Sequence, residues 1–392
     1  MTWLAFSGWL RFPIIFLLLS FVITIPFLVY SILYNPKSII KNDEDWLLIL
    51  MLLFVIVSFF RSPMNSQNFN HTLSFVFVFV IYLIYFKYAV IRYKIPNMYI
   101  FKMIFYASTL ANVIIIVEWV LLNKFNIIIR NFFIIADNTY TMIYYPFLFF
   151  KSVGGTCEEP STMALNMNIL FPFGLYYVYN EHKKWVFLYA FLYITALFFT
   201  ASAGGIGFLL IACAVTILFE ANTKSIIRLL GIAIIFAIIF YIVYLYLPID
   251  AQKSFEAFYE LISSKITLNA DSADMRTAAW SHAIYDWLDS PLLGKGIAYG
   301  KVAYFGFSYQ SVYFQVLAET GIISLLLLLG FFVIITLRIL KLKQPIRRFA
   351  LIGFFAGVFH LLITDTYYHV CLWIVIALIQ IVYYREKTEQ SI

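Results

Sequence analysis

The residues that could do chemistry in this sequence lie in short polar segments between long apolar runs. Glu158 and Glu159 stand directly before Pro160 in the segment Lys151–Ser161. A helix should begin there, because proline suits the first helical turn. One interpretation is that the two carboxylates complement the helix dipole. The other is that one of them acts as a base, or binds a hydroxyl group, at the mouth of a cavity.

Arg276 is the second candidate, because it stands alone in a predicted helix, two residues after Asp274. A cation in the first turn of a helix opposes the helix dipole, but the same place suits an anion such as phosphate. A guanidinium can also form two parallel hydrogen bonds with phosphate oxygens. The alternative is a surface ion pair with Asp274 or Asp271.

Three further features have weaker chemical meaning. The small residues of Thr200–Gly207 allow either close helix packing or the approach of a ligand. Ser290–Ile297 has two glycines around Lys295, but it lacks the Ser or Thr and the strand–helix context of a nucleotide-binding loop. Glu118 lies within an apolar run, so it is either a functional residue or a hydrogen-bonded Glu near the boundary.

We predict no metal site and no cofactor. The cysteines are far apart in the chain, and the histidines considered show no metal-ligand spacing. These residues are Cys157, Cys213, Cys371, His282, His360 and His369.

The elements that must position these residues are membrane-spanning helices. Of the 392 residues, 63% are apolar and 12% are charged, and the mean hydropathy is +0.90. Soluble globular chains are about 45–50% apolar and about 25% charged. The composition therefore excludes an ordinary soluble enzyme, a disordered protein, a coiled coil and a small disulfide scaffold. Long continuous runs also disfavour a β-barrel.

About eleven apolar runs are long enough, or nearly so, to span a membrane, and ten to twelve spans are all compatible with the sequence. The runs are 12–34, 46–60, 72–91, 99–122, 163–180, 185–200, 205–219, 229–247, 312–337, 349–364 and 367–384. They predict an all-α, polytopic membrane protein with a single integral membrane domain over residues 1–392. The first run should be retained as a span, since no cleavage site precedes it.

The basic residues orient the spans. If Lys183 and Lys184 face the cytoplasm, most of the 27 Lys and Arg also lie on the cytoplasmic side. The basic residues behind the net charge of +7 therefore orient the spans and do not indicate nucleic-acid binding. Two long segments, 123–161 and 248–311, then lie outside. Long ordered loops are usually functional.

The segment 248–311 is expected to form two amphipathic helices on the outer membrane surface. One has apolar residues at helical spacing over 255–262. The other should begin near Ser272 to Asp274 and end before Pro291. Residues on one face of the second helix are Arg276, Trp280, Ala283 and Trp287.

Four stretches, by their order and spacing, resemble the O-antigen polymerase and O-antigen ligase superfamily of bacterial surface-polysaccharide enzymes. They are Gly155–Ser161, Thr200–Gly205, Arg276–Trp280 followed by Ser290–Gly296, and Tyr309–Gly321. The resemblance covers roughly residues 150–330 and extends to the N-terminal third only in hydropathy. It implies a metal-independent glycosyltransferase with a GT-C-like helical membrane fold.

The resemblance also implies the substrate and the roles of residues. The donor would be a sugar chain on undecaprenyl pyrophosphate, held by arginines of the outer loops. Arg276 is the match in the long loop. Lys151 stands where the family often has Arg, but lysine loses the bidentate fork, and Ala203 replaces another frequent Arg. Glu158 or Glu159 is the preferred base. Further substrate-binding candidates in the matching stretches are Trp280, Lys295, Tyr309, Gln310 and Glu319.

Polymerase is the preferred activity, on the periplasmic face of the bacterial inner membrane. The ligase branch tends to carry a His-Asn pair where this chain has Tyr309 and Gln310. Alternatives are a ligase that moves glycan to lipid A core or protein, a transporter or flippase of lipid-linked sugars, and a structural partner in an export assembly. The candidate residues gather on one predicted side, which favours surface chemistry over transport. Expected partners are the lipid-linked oligosaccharide, membrane lipids and a chain-length regulator.

Overall fold

A computed structural model describes residues 44–62, 66–127, 142–145, 148–155, 157, 159–220, 271–304, 308–365 and 369–390, together with Tyr30. The α-helices are α1 (Asp45–Arg61), α2 (Ser66–Phe77), α3 (Phe86–Arg92), α4 (Asn97–Phe125), α5 (Pro160–Glu181), α6 (Val186–Thr200), α7 (Ala203–Glu220), α8 (Asp271–Asp289), α9 (Tyr299–Ala303), α10 (Val312–Leu340), α11 (Ile346–His360) and α12 (Val370–Gln390). A π-helical segment, Val78–Tyr85, joins α2 to α3, and a single 3₁₀ turn, Lys183–Trp185, precedes α6.

Several of the described helices have the length and apolarity of membrane spans. The five that meet both conditions are Asn68–Arg92, Asn97–Phe125, Lys183–Thr200, Ala203–Glu220 and Val312–Leu340. This is consistent with a multi-pass membrane protein. The number of about eleven spans and the GT-C-like fold stay predictions. The predicted run 229–247, and all of 12–34 except Tyr30, lie outside the described residues. The remaining runs each overlap a described helical segment, and the run 72–91 covers parts of α2 and α3 and the π-helical segment between them.

A short β-hairpin interrupts the helical pattern in the segment 123–161. Strand β1 (Met142–Tyr145) pairs antiparallel with β2 (Leu148–Lys151), and Met142 is opposite Lys151. No strand was predicted from the sequence there. Both strands are rich in aromatic residues, which favour extended backbone.

Helix α5 is buried along most of its length and packs against α4, α6, α7, α11 and α12. Small residues allow the neighbouring helices to approach it. A Cβ at Gly205 of α7 would lie 2.5 Å from the Cβ of Ala164, and Asn168 donates a hydrogen bond to the Gly205 carbonyl at 2.7 Å. The small-residue segment Thr200–Gly207 therefore makes a close helix contact, which supports the packing interpretation.

Charged residues at one end of the helices form ion pairs. Lys87 contacts Asp45 and donates to Gln380 at 2.8 Å, and Arg338 pairs with Glu44 at 3.2 Å. Arg347 and Arg348 pair with Glu220 at the same end. The charge pattern of the sequence predicts that these four basic residues, Lys87, Arg338, Arg347 and Arg348, lie inside. The structure gathers all four at one end of the helices.

A kink in α10 shapes the opposite end. Gly321 has φ 86° and ψ 175°, a conformation that breaks the helix and that favours glycine. The carbonyls of Ala318 and Glu319 accept hydrogen bonds from the backbone N–H groups of Lys295 and Gly296, at 2.8 and 3.1 Å. The segment that follows α8 therefore fills the kink of α10.

Candidate active site

Arg276 lies on α8, whose bounds Asp271 and Asp289 confirm the helix predicted in this part of the chain. Because α8 begins at Asp271, Arg276 lies in the second turn, and the expectation that it occupies the first turn is corrected. Asp274 is exposed, and the charge that acts on Arg276 is that of Glu159.

One face of α8 packs against α10. Ala283 is fully buried, and the Trp280 ring stacks on Phe314 with a centroid distance of 5.3 Å and an interplanar angle of 22°. The predicted apolar face therefore contacts another helix, which the helical period could not reveal. The position of α8 on the outer membrane surface stays a prediction.

A buried carboxylate fixes the orientation of α8. Asp286 accepts hydrogen bonds from the Tyr304 and Tyr309 hydroxyls, at 3.0 and 2.7 Å. Burial, followed by the hydrogen bond to Asp286, raises the pKa of Tyr309, and the same causes raise the pKa of Tyr304 to about 12. Both hydroxyls therefore stay protonated and donate to the carboxylate.

Two donors on α8 lack partners within the described part of the chain. They are Nε of Arg276 and Nε1 of Trp280, and both atoms are buried. Burial lowers the pKa of Arg276, while the negative charge of Glu159 raises it, and a guanidinium stays charged at any physiological pH. A buried donor without a partner costs about 1–3 kcal/mol. Two unpartnered donors on one helix, one of them part of a charged guanidinium, suit the binding of an anion.

The N-terminal end of α5 lies close to this guanidinium. Helix α5 begins with Pro160, as predicted, and Glu159 precedes it with an exposed side chain. The hydroxyl of Ser161 is 3.1 Å from Nε2 of His360, the last residue of α11. The charge of Arg276 also acts on His360. The start of α5, the second turn of α8 and the end of α11 therefore meet at one site.

Glu118 holds the turn that leads to this site. Its side chain is fully buried, and Oε2 accepts a hydrogen bond from the Gly155 N–H at 2.7 Å. Gly155 has φ +56°, and a Cβ there would lie 2.8 Å from Ile115. The structure thus shows the hydrogen-bonded Glu that the sequence analysis weighed against a functional one. Glu158 lies outside the described residues.

The structure brings together some of the predicted site residues, namely Arg276, Trp280 and Glu159. Lys151 ends β2, and its backbone N–H and carbonyl bond to the Asn123 side chain at 2.6 and 3.1 Å. This pairing places Lys151 at the C-terminal part of α4.

Four other predicted residues lie in or beside the contact between α8 and α10. Lys295 pairs with Asp289 at 2.9 Å, and the buried carboxylate of Glu319 accepts from Gln315 at 3.0 Å. Tyr309 donates to Asp286, as described above, and Gln310 is half-buried with φ 49°. Their substrate-binding roles stay predictions.

Two residues of this site were missed by the sequence analysis as functional candidates. Ser161 and His360 are 199 positions apart, so no local spacing joins them. A polar residue near the end of an apolar run was the one available signal for His360. Among the described residues, no group of three or more His, Cys, Asp or Glu could hold a metal ion.

In a comparison with known protein families, the family described as O-antigen ligase matches residues 188–329. This range runs from α6 into α10 and includes Arg276, the segment that fills the kink, and Gly321. A comparison with curated proteins found no match.

Proposed function

We propose that this chain, a member of the O-antigen polymerase and ligase superfamily, polymerises oligosaccharide repeats that are linked to undecaprenyl pyrophosphate. The growing glycan would move from its lipid carrier to the terminal sugar hydroxyl of a new lipid-linked repeat. The reaction would take place on the periplasmic face of the inner membrane, without a metal ion. Polymerase is preferred to ligase because Tyr309 and Gln310 stand where the ligase branch tends to carry His-Asn.

The observation that carries the proposal is the unpartnered donor pair on α8. Nε of Arg276 and Nε1 of Trp280 are buried without hydrogen-bond partners in the part of the chain that the structure describes. Buried polar groups are nearly always hydrogen-bonded, so an unpartnered guanidinium nitrogen together with an unpartnered indole N–H on the same helix requires an explanation. A pyrophosphate supplies both the acceptor oxygens and the negative charge.

The chemistry follows from this placement. As the acceptor oxygen attacks the anomeric carbon, the bond from that carbon to the pyrophosphate oxygen breaks and negative charge grows on the leaving group. Arg276 stabilises this charge with a charge-assisted hydrogen bond. Glu159, which faces the same cation, orients the incoming hydroxyl. Pyrophosphate leaves readily, so positioning and charge stabilisation supply most of the rate.

The test is the length distribution of the surface polysaccharide in cells that produce variants at matched levels. Arg276→Ala should abolish chains longer than a single repeat, since losing one such electrostatic group costs about 10²–10³ in rate. Arg276→Lys keeps the charge but loses the fork, so it should give short chains. The control is Arg61→Ala, because Arg61 is exposed and donates to Ser290 at 3.1 Å. Wild-type chains in both Arg276 variants would overturn the proposal.

A ligase is the second candidate, because the matching family is described as O-antigen ligase. The two activities leave different products when the protein is deleted. Loss of a polymerase leaves single repeats on the lipid carrier and on the acceptor. Loss of a ligase leaves full-length polymer on the lipid carrier. A transporter would instead leave repeats on the cytoplasmic side.

A further inference from the structure

We propose that His360 is the general base of this reaction and that its Nδ1 takes the proton of the acceptor hydroxyl. The inference rests on the proposed function and assigns the base to a residue that the sequence analysis did not consider for this role. It goes beyond the binding of pyrophosphate, because it concerns the other substrate and the other half of the reaction.

The His360 ring is held from two sides. Nε2 lies 3.1 Å from the Ser161 hydroxyl, and the Phe208 ring of α7 lies against it at a centroid distance of 5.5 Å. The side chain is fully buried. A ring fixed in this way presents its second nitrogen in one direction, which is the preorganisation that proton transfer requires.

Nδ1 of His360 is buried and has no hydrogen-bond partner among the described residues. If the Nε2–H group donates to the Ser161 hydroxyl, Nδ1 carries a free lone pair, since neutral imidazole has one donor and one acceptor. In that tautomer, the hydrogen bond at Nε2 leaves Nδ1 as the acceptor. A sugar hydroxyl that donates to Nδ1 would satisfy the remaining acceptor.

The surroundings of His360 favour the neutral form of its imidazole ring, and only this form can accept a proton. Burial is the main reason, followed by the charged and titratable groups that act on His360, which are His369, just before α12, and Arg276 from α8. A second positive charge beside a guanidinium in a buried place is unfavourable. The proton would therefore be accepted only as negative charge builds up on the departing pyrophosphate.

Glu159 is less suited to this task. Its side chain is exposed and its charge acts on Arg276. Its carboxylate is therefore engaged with Arg276, whereas Nδ1 of His360 has no hydrogen-bond partner among the described residues.

The proposed step balances. The acceptor oxygen forms a bond with the anomeric carbon, and its proton moves to Nδ1. The bond from the anomeric carbon to the pyrophosphate breaks, and its electron pair leaves with the lipid pyrophosphate. The imidazolium then returns its proton to the released pyrophosphate or to water. No oxidant, nucleotide or further reactant is needed.

The experiment separates binding from turnover with two measurements on the full-length protein. The polysaccharide ladder in cells reports turnover. Thermal stabilisation of purified protein by vesicles containing undecaprenyl pyrophosphate reports binding. His360→Gln should lower polymerisation by about 10²–10⁴-fold and keep the thermal stabilisation, whereas Arg276→Ala should lose both. The matched control is His282→Gln, which should behave as wild type. His282 is an exposed histidine on α8, and its ring centroid is 4.5 Å from that of Tyr304.

A wild-type ladder in His360→Gln would overturn the assignment. If that variant does not fold, Ser161→Ala is the second test of the assignment. This substitution removes the hydroxyl that holds Nε2 of the His360 ring, while the ring keeps its Nδ1 atom. The assignment then requires a lower rate with unchanged binding, and a wild-type rate contradicts it. Failure of the proposed function has a different signature. In that case, undecaprenyl pyrophosphate does not stabilise the wild-type protein, and Arg276→Ala keeps a normal ladder.

Discussion

The backbone N–H of Gly296 donates a hydrogen bond to the Glu319 carbonyl at 3.1 Å, beside the break in α10 at Gly321. This carbonyl would bond within the helix if α10 were continuous. The Ser58 hydroxyl of α1 donates to the same oxygen at 2.6 Å. The kink thus joins α10 to α1 and to the segment after α8, and so fixes the helix that carries Arg276.

Gly321→Ala should destabilise the protein and shorten the polysaccharide. A Cβ at this position would lie 2.1 Å from the carbonyl oxygen of Leu292, and the positive φ is itself strained for alanine. Strained backbone positions of this kind cost about 1–3 kcal/mol each. The measurements are the thermal unfolding midpoint of the full-length protein in detergent and the polysaccharide ladder in cells.

The matched control for this prediction is Gly207→Ala on α7. A Cβ at Gly207 meets nothing within 4 Å, so alanine should leave stability unchanged or raise it slightly. If both variants behave as wild type, the kink does not position α8.

The sequence could predict most of the described helices, because lipid imposes a simple rule. Backbone groups in a bilayer must bond within the chain, so a long apolar run becomes a helix. The hairpin Met142–Lys151 escaped prediction, since its strands are four residues each and lie in a connecting segment. Strand propensity in such a short aromatic run depends on its surroundings more than on its period.

The candidate site was predicted in part, for a related reason. Arg276 was recognisable, because a lone cation in a helix of an outer segment is unusual. Its partners were not, since contacts between helices do not follow from the pattern of one helix. Ser161 and His360 meet across 199 positions, and each appears ordinary in its own segment.

Tyr309→Phe should lower stability with little change in substrate affinity. The Tyr309 hydroxyl donates to the buried Asp286 carboxylate at 2.7 Å, so its loss leaves Tyr304 as the remaining donor from these two tyrosines. Removing a hydrogen bond to a buried charge costs about 1–3 kcal/mol. The thermal unfolding midpoint should fall, and KM for the lipid-linked repeat should stay close to the wild-type value. Tyr285→Phe is the control, because Tyr285 is 68% exposed. A raised KM with an unchanged midpoint would instead support the family-based role in substrate binding.

Glu118→Gln should preserve polymerisation, whereas Glu118→Ala should reduce it. The Gly155 N–H donates to Oε2 of Glu118 at 2.7 Å, and a glutamine carbonyl can accept the same hydrogen bond. Alanine leaves the N–H unpaired next to the turn that leads to Glu159, at a cost of about 1–3 kcal/mol. The ladder at matched expression measures both variants. Equal loss in the two variants would show that the charge of Glu118 is required, and would return this residue to the functional candidates.

The end of the helices that carries Arg276 should face the periplasm. Asp274 is exposed beside Arg276, and Lys343 is exposed at the opposite end, near the ion pairs of Glu220. Basic residues of short connectors favour the cytoplasm. In a Cys213→Ser background, where the remaining Cys157 and Cys371 are buried, a membrane-impermeant maleimide should label Asp274→Cys in spheroplasts. Lys343→Cys should react after permeabilisation. The reverse pattern would place Arg276 in the cytoplasm, where a periplasmic polymerase could not use it.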